Sequence, residues 1–147
     1  MKKIKLIIII TYVLCLSNIA KADLNNSLKN YLDGKNLEKG STQIYLLKRC
    51  SAVYAYASGI VLKSDAVSSK NFIEISNNLL FKSVELMVID ENKKLEQAQA
   101  EAEKNRKELF SNYIADGKKN WEKNKSHFKG SYISGDMAIC SKLTEEN

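Results

Sequence analysis

The sequence contains no proline, a single histidine and only six glycines in 147 residues. Without proline the usual punctuation of β-rich folds is missing, and long uninterrupted helices become the natural reading. The cysteines form neither a C-x-x-C nor a C-x-x-C-H pattern, so a dithiol redox centre and a c-type haem are excluded as motifs. A structural zinc site wants four Cys or His ligands, and one histidine with two or three cysteines does not supply them without carboxylates. G-x-S-x-G, H-E-x-x-H, a phosphate-cradling glycine loop and the calcium-loop spacing are all lacking. No catalytic residue, cofactor or metal ligand is therefore expected.

The chain opens MKKIKLIIIITYVLCLSNIAKADLNNS, with a lysine-rich start, an apolar run from Leu6 to Leu16, and Ala20-Lys21-Ala22 ahead of Asp23. This pattern predicts a secretory signal peptide over residues 1–22, cleaved after Ala22, and one exported domain over residues 23–147. The run is shorter than the roughly 18 apolar residues of a spanning helix, so no stable membrane anchor is expected after cleavage. Cys15 follows Leu14 rather than a small residue, which does not suit lipidation, and it leaves with the leader. The expected destination is the bacterial periplasm or the extracellular space.

The formal charge of +6 invites a nucleic-acid reading. Removing Lys2, Lys3, Lys5 and Lys21 leaves 19 basic against 17 acidic residues, a net of +2, and the two signs are interleaved. No nucleic-acid partner is expected.

Beyond the leader, helical spacing dominates. Leu24, Leu28, Tyr31 and Leu32 support a short first helix ended near Asp33-Gly34. Ser41 or Thr42 is the expected cap of a longer helix whose buried arc holds Leu46, Leu47, Cys50, Val53, Tyr54, Ala57, Ile60 and Val61. Lys48 and Arg49 fall outside that arc, and Tyr45 and Tyr56 point away from it. A further helix, capped by Ser68 or Ser69 and running to about Ile89, has the widest apolar face and is expected to be the most buried. Residues 93–124 are rich in strong helix formers but carry only a thin stripe of Leu95, Ala98, Ala102, Leu109 and Tyr113. A turn near Asn92 would fold this helix back; without one it would extend its predecessor as a rod. Turns at Gly130 and around Ser134-Gly135 precede a short closing helix with Met137, Ile139, Cys140 and Leu143. The predicted class is an all-α bundle of three to four helices.

Cys50 and Cys140 both lie on apolar helical faces in a chain bound for an oxidising compartment, which predicts a disulfide between them. Closing the 91-residue loop stabilises by about 4.6 kcal/mol in the chain-entropy model. The alternatives are inert thiols, or a reactive Cys50 with His127 as its basic partner, although His127 sits in a charged stretch that reads as solvated. Glu101, Glu103 and Glu108 around Arg106 read as a solvated face with i, i+4 pairs. Asn25-Asn26-Ser27 and Asn124-Lys125-Ser126 fit glycosylation acceptors, which mean little behind a bacterial-looking leader.

Three functions follow as expectations. The first is a non-enzymatic exported protein that acts by binding or scaffolding. The second is a chaperone-like protein or adaptor that offers the 93–124 helix to a protein partner through Leu95, Ala98, Ala102, Lys104, Arg106 and Lys107, or pairs with a second copy along that stripe. The third is an enzyme or small-ligand binder with a pocket among Tyr45, Tyr54, Tyr56, Tyr113, Trp121, Phe128, Tyr132 and His127.

Overall fold

The computed structural model describes residues 27–145; the expected leader, with Cys15 and the expected cleavage point, lies outside them. Among the described residues the secondary structure is helical throughout: α1 (Leu28–Leu32), α2 (Gly40–Val61), α3 (Ala66–Asp90), α4 (Leu95–Asn124) and α5 (Tyr132–Glu145). The all-α class holds, with α1 as a single turn added to four longer helices.

Helix α2 is the centre of the molecule and packs against each of the other four. Leu47 through Tyr54 are buried without a break. This corrects the expectation that α3 is the most buried helix. A wide apolar face counts only where neighbours exist to cover it, and α3 leaves Ile73, Phe81 and Ile89 exposed on its outer side. Tyr56 is likewise corrected to the interior, at 3% exposure.

Helices α2 and α3 form an antiparallel hairpin whose contact line is built from serines. Ser51 Oγ donates to the Ser76 carbonyl at 2.8 Å, and Ser76 Oγ returns a bond to the Ser51 carbonyl at 2.7 Å. One heptad toward the turn, Ser58 Oγ donates to the Ser69 carbonyl at 2.9 Å. Small side chains bring the two backbones close, and the hydroxyls satisfy themselves on the opposite helix, as buried polar groups must. Ser69 is therefore a contact residue and not a cap. The cap of α3 is Asp65, which accepts from the Ser68 amide at 2.9 Å and from the Ser68 hydroxyl at 2.5 Å. Those bonds hold the exposed Asp65 carboxyl below its usual value. Helix α2 starts earlier than expected, with Lys39 as its uncapped first boundary and Thr42 already buried.

The turn before α4 folds it back against α2 and α3, which settles the choice between hairpin and rod. Asn92 adopts a left-handed φ of 52°, and Lys93 Nζ then meets Glu91 at 2.9 Å and Glu101 at 2.6 Å. Pairs this exposed contribute little energy and serve mainly to fix the angle of return. The apolar stripe of α4 is spent on this chain's own core: Ala98 and Ala102 pack with Ile44, Leu80, Val84 and Met87, and Leu109 and Tyr113 join the larger cluster around Cys50. Helix α5 begins at Tyr132, so the expected turn at Ser134-Gly135 is corrected to helix. Ile133, Asp136 and Cys140 share its fully buried face, and a turn inside that span would break the face apart.

Candidate functional site

Three places in the fold bring chemistry-bearing residues together. The first joins α1, α2, α4 and α5 around one buried carboxylate. Arg49, on α2, and Asp136, on the second turn of α5, are 1% and 0% exposed and pair at 2.8 Å through Nη2 and Oδ2. Arg49 Nε also donates to Asp136 Oδ2 and to the Tyr113 hydroxyl, each at 3.0 Å, while Nη1 donates to the Tyr45 hydroxyl at 3.0 Å. Tyr113, on α4, donates to Asp136 Oδ2 at 2.7 Å. The other carboxylate oxygen accepts from the Leu28 amide at 2.7 Å, so Asp136 caps the first turn of α1 from a different helix. One residue along α2 and one turn along α5, Cys50 and Cys140 form the expected disulfide, with alpha carbons 5.4 Å apart.

Burial alone would pull the Arg49 guanidinium down, but Tyr113, Asp136 and Tyr45 around it outweigh that and hold it above its ordinary value. Burial pushes the Tyr113 phenol well above its usual range despite the facing cation. Neither Arg49 nor Asp136 lines either of the two clefts described below. The buried cluster fastens four helices at one point. Both residues were missed in the sequence.

The second place is a groove of about 990 Å³ between α2 and α3. Leu46, Leu47, Ile75, Leu79 and Leu86 contribute its apolar surface, Leu143 of α5 closes one side, and Phe81 and Ile89 stand on the rim at 60% and 70% exposure. Gln43, Asn78, Lys82 and Glu85 add a polar margin.

The third is a smaller cleft of about 320 Å³ between the second half of α2 and the end of α4, where Tyr56, Phe110, Trp121 and His127 meet. His127 is not the solvated residue expected: its Nδ1 is 3.1 Å from the Tyr56 hydroxyl and its ring stacks on Trp121 at 4.9 Å. It stays distant in role from Cys50, whose sulfur is committed to the disulfide. The expected tyrosine set divides accordingly. Tyr45 and Tyr113 belong to the Arg49 cluster, Tyr54 bonds Thr144 at 3.2 Å, and Tyr132 donates to Asp116 at 2.8 Å.

The face expected for a partner on α4 is only partly open. Lys104 and Lys107 are exposed, Arg106 is half-buried and donates to Asn77 at 3.0 Å, and Leu95 is 52% exposed. Ala98 and Ala102 are at 0% and offer nothing to a second copy. Among the described residues no three His, Cys, Asp or Glu side chains gather as a metal site would require.

The buried phenols carry a testable pH dependence. Burial raises Tyr56 to about 12, and raises Tyr132, with help from its bond to Asp116, as it does Tyr113. An unfolded tyrosine loses its proton near pH 10, so above that point the unfolded chain binds fewer protons than the folded one and stability falls as pH rises. Below it this contribution is fully present and flat. Thermal melts should show a plateau up to about pH 9 and a steady fall above about pH 10, and a melting temperature unchanged through that upper range would refute the burial of these hydroxyls.

Compared with known proteins, the chain matches no family model, no curated protein and no solved structure.

Proposed function

We propose that this is an exported, non-enzymatic binding protein that receives an amphipathic helix of a partner protein in the groove between α2 and α3. The observation that carries the reading is the groove itself: an apolar channel with Phe81 and Ile89 left exposed on its rim and a thin polar margin. Anchors on one face of a partner helix fit such a channel, with apolar contact supplying affinity and the margin supplying orientation. Export is supported by the leader-like first 22 residues and by the disulfide, which persists in oxidising compartments. Among the described residues no helix is long and apolar enough to cross a membrane.

A photo-crosslinking residue at Phe81, compared with one at Lys104 on α4, tests the groove in the exported protein. Crosslinks to a protein from position 81 and none from position 104 are expected, with Phe81→Glu abolishing capture while leaving stability within about 0.5 kcal/mol, as for other exposed positions. Capture from position 104 alone would move the partner surface to α4, as an adaptor or chaperone-like protein would have it, and silence at both would remove the binding reading. The intact mass of the same exported protein should correspond to a chain beginning at Asp23. A mass that includes residues 1–22 would overturn the processing assignment.

A further inference from the structure

The outer edge of α4 changes character half way along. Side chains three and four residues apart are neighbours on a helix surface, and one such line carries Glu96 and Glu103 in its first half. The same line continues through Lys107, Phe110, Ile114, Lys118 and Trp121 to Lys125, just past the helix end, with three lysines and no acid. The wider sequence repeats the contrast: residues 90–106 hold four bases against five acids, whereas residues 107–129 hold six against three. Positive charge is therefore gathered at one end of α4.

Apolar side chains are exposed at that same end. Ile114 and Trp121 keep 48% and 47% of their surface in solvent. Beside them α2 adds Gly59 and Ile60 to an open cleft whose surface is almost wholly apolar. One turn past Gly59, Leu62 is 58% exposed and is followed by the exposed Lys63. None of Lys63, Lys107, Lys118 and Lys125 makes an ion pair among the described residues, whereas Lys119, farther round the helix, is held by Asp116 at 3.0 Å. Glu122, the nearest acid, is turned about 100° from Trp121.

We infer that this face of α4, with the end of α2 beside it, rests reversibly on the surface of an anionic lipid bilayer, Leu62, Ile114 and Trp121 meeting the headgroup boundary and the lysines meeting the phosphates. A bilayer offers both chemistries in layers, negative charge outside and hydrocarbon beneath, and an apolar face bordered by lysines is what binds there. Tryptophan is favoured at that boundary. Lysine stems lie along apolar surface while their ammonium groups reach outward, so no lysine has to be fixed over the cleft. Nucleic acid or an acidic peptide would meet the same lysines but would set polar backbone against an apolar surface that offers it no hydrogen bonds. The groove between α2 and α3 shares no residue with the cleft, and the two surfaces act independently.

The test mixes the exported, disulfide-bonded protein with phosphatidylglycerol or phosphatidylcholine vesicles and follows flotation together with the emission of Trp121, the one tryptophan of the chain. Flotation with phosphatidylglycerol alone is expected, with the emission moved to shorter wavelength and quenched by bromine on the lipid chains. Lys107→Gln combined with Lys118→Gln should weaken the association by at least about tenfold. Lys82→Gln combined with Lys94→Gln removes the same charge from elsewhere on the surface and should change it by less than about threefold. No flotation, equal flotation with phosphatidylcholine, or equal losses from the two lysine pairs would overturn the face. Flotation with unchanged emission would leave Trp121 in water and overturn the apolar contact. Tighter binding to duplex DNA than to the vesicles at the same salt would overturn the lipid in favour of nucleic acid.

Discussion

Replacing Asp136 by asparagine is expected to lower the unfolding free energy by about 3–5 kcal/mol, the cost of leaving a buried charge without its partner. The substitution keeps the shape of the side chain and one acceptor for the Leu28 amide, but removes the charge that two nitrogens of Arg49 and the Tyr113 hydroxyl address. The cost comes from the stranded guanidinium, not from a cavity. Removing both charges together, as Arg49→Gln with Asp136→Asn, should therefore be less damaging than Asp136→Asn alone, because neutral groups can still bond one another. Urea unfolding of the three proteins decides the matter. A single variant within about 1 kcal/mol of the parent would mean that the cluster tolerates an unpaired cation, contrary to its burial.

Loss of the disulfide is the second large effect. Replacing Cys50 and Cys140 together by serine should cost up to about 4.6 kcal/mol, the chain-entropy value for a bridge of this span. The sequence separation is 90 residues, and the bridge joins the last helix to the central one. Hydrogen exchange should then accelerate first in α5, where Ile133, Asp136 and Cys140 are the fully buried side chains. The Arg49–Asp136 pair and the bridge hold the same two helices within one turn of each other, so their removal should not be additive. With the bridge absent and α5 partly detached, Asp136→Asn should cost less than it does in the bridged protein. Equal stability of the serine variant and the parent, or additive losses, would show that α5 is held by other contacts.

How much of this could be read from the residues differs by feature. The disulfide was legible because two cysteines on apolar faces beyond the expected leader, in a chain expected to be exported, leave few alternatives. The helices were legible from spacing, although their caps were not: Ser68 and Ser69 both look like caps, and only the contact with Ser58 shows that Ser69 has another task. Arg49 was misplaced because a helical wheel drawn for one apolar face assigns charges to solvent, whereas α2 has neighbours on every side. A signal was present. Arg49 shares its face with Tyr45, Val53 and Tyr56, and Asp136 shares its face with Ile133 and Cys140, so each charge was bracketed by residues that bury. The groove and the cleft had no such signal, since a concavity depends on the distance between helices and no single helix records it. The α4 stripe was read correctly as apolar and narrow, but a narrow stripe of alanines is also what a closely packed inner face needs.

The serine line between α2 and α3 leaves an ambiguity that the rest of the molecule has to resolve. Ser69, Ser76 and Ser83 recur at every seventh residue of α3, and Ser51 and Ser58 do so on α2. Sliding the hairpin by one heptad would set Ser58 against Ser76 and Ser51 against Ser83, with the same small side chains and hydroxyls meeting again. The seam therefore fixes how near the helices lie without fixing their register. That choice falls to the turn, where the four-residue link Leu62–Asp65 is short and closed by the Asp65 cap. A hairpin with a longer, uncapped link would keep its spacing and lose its alignment.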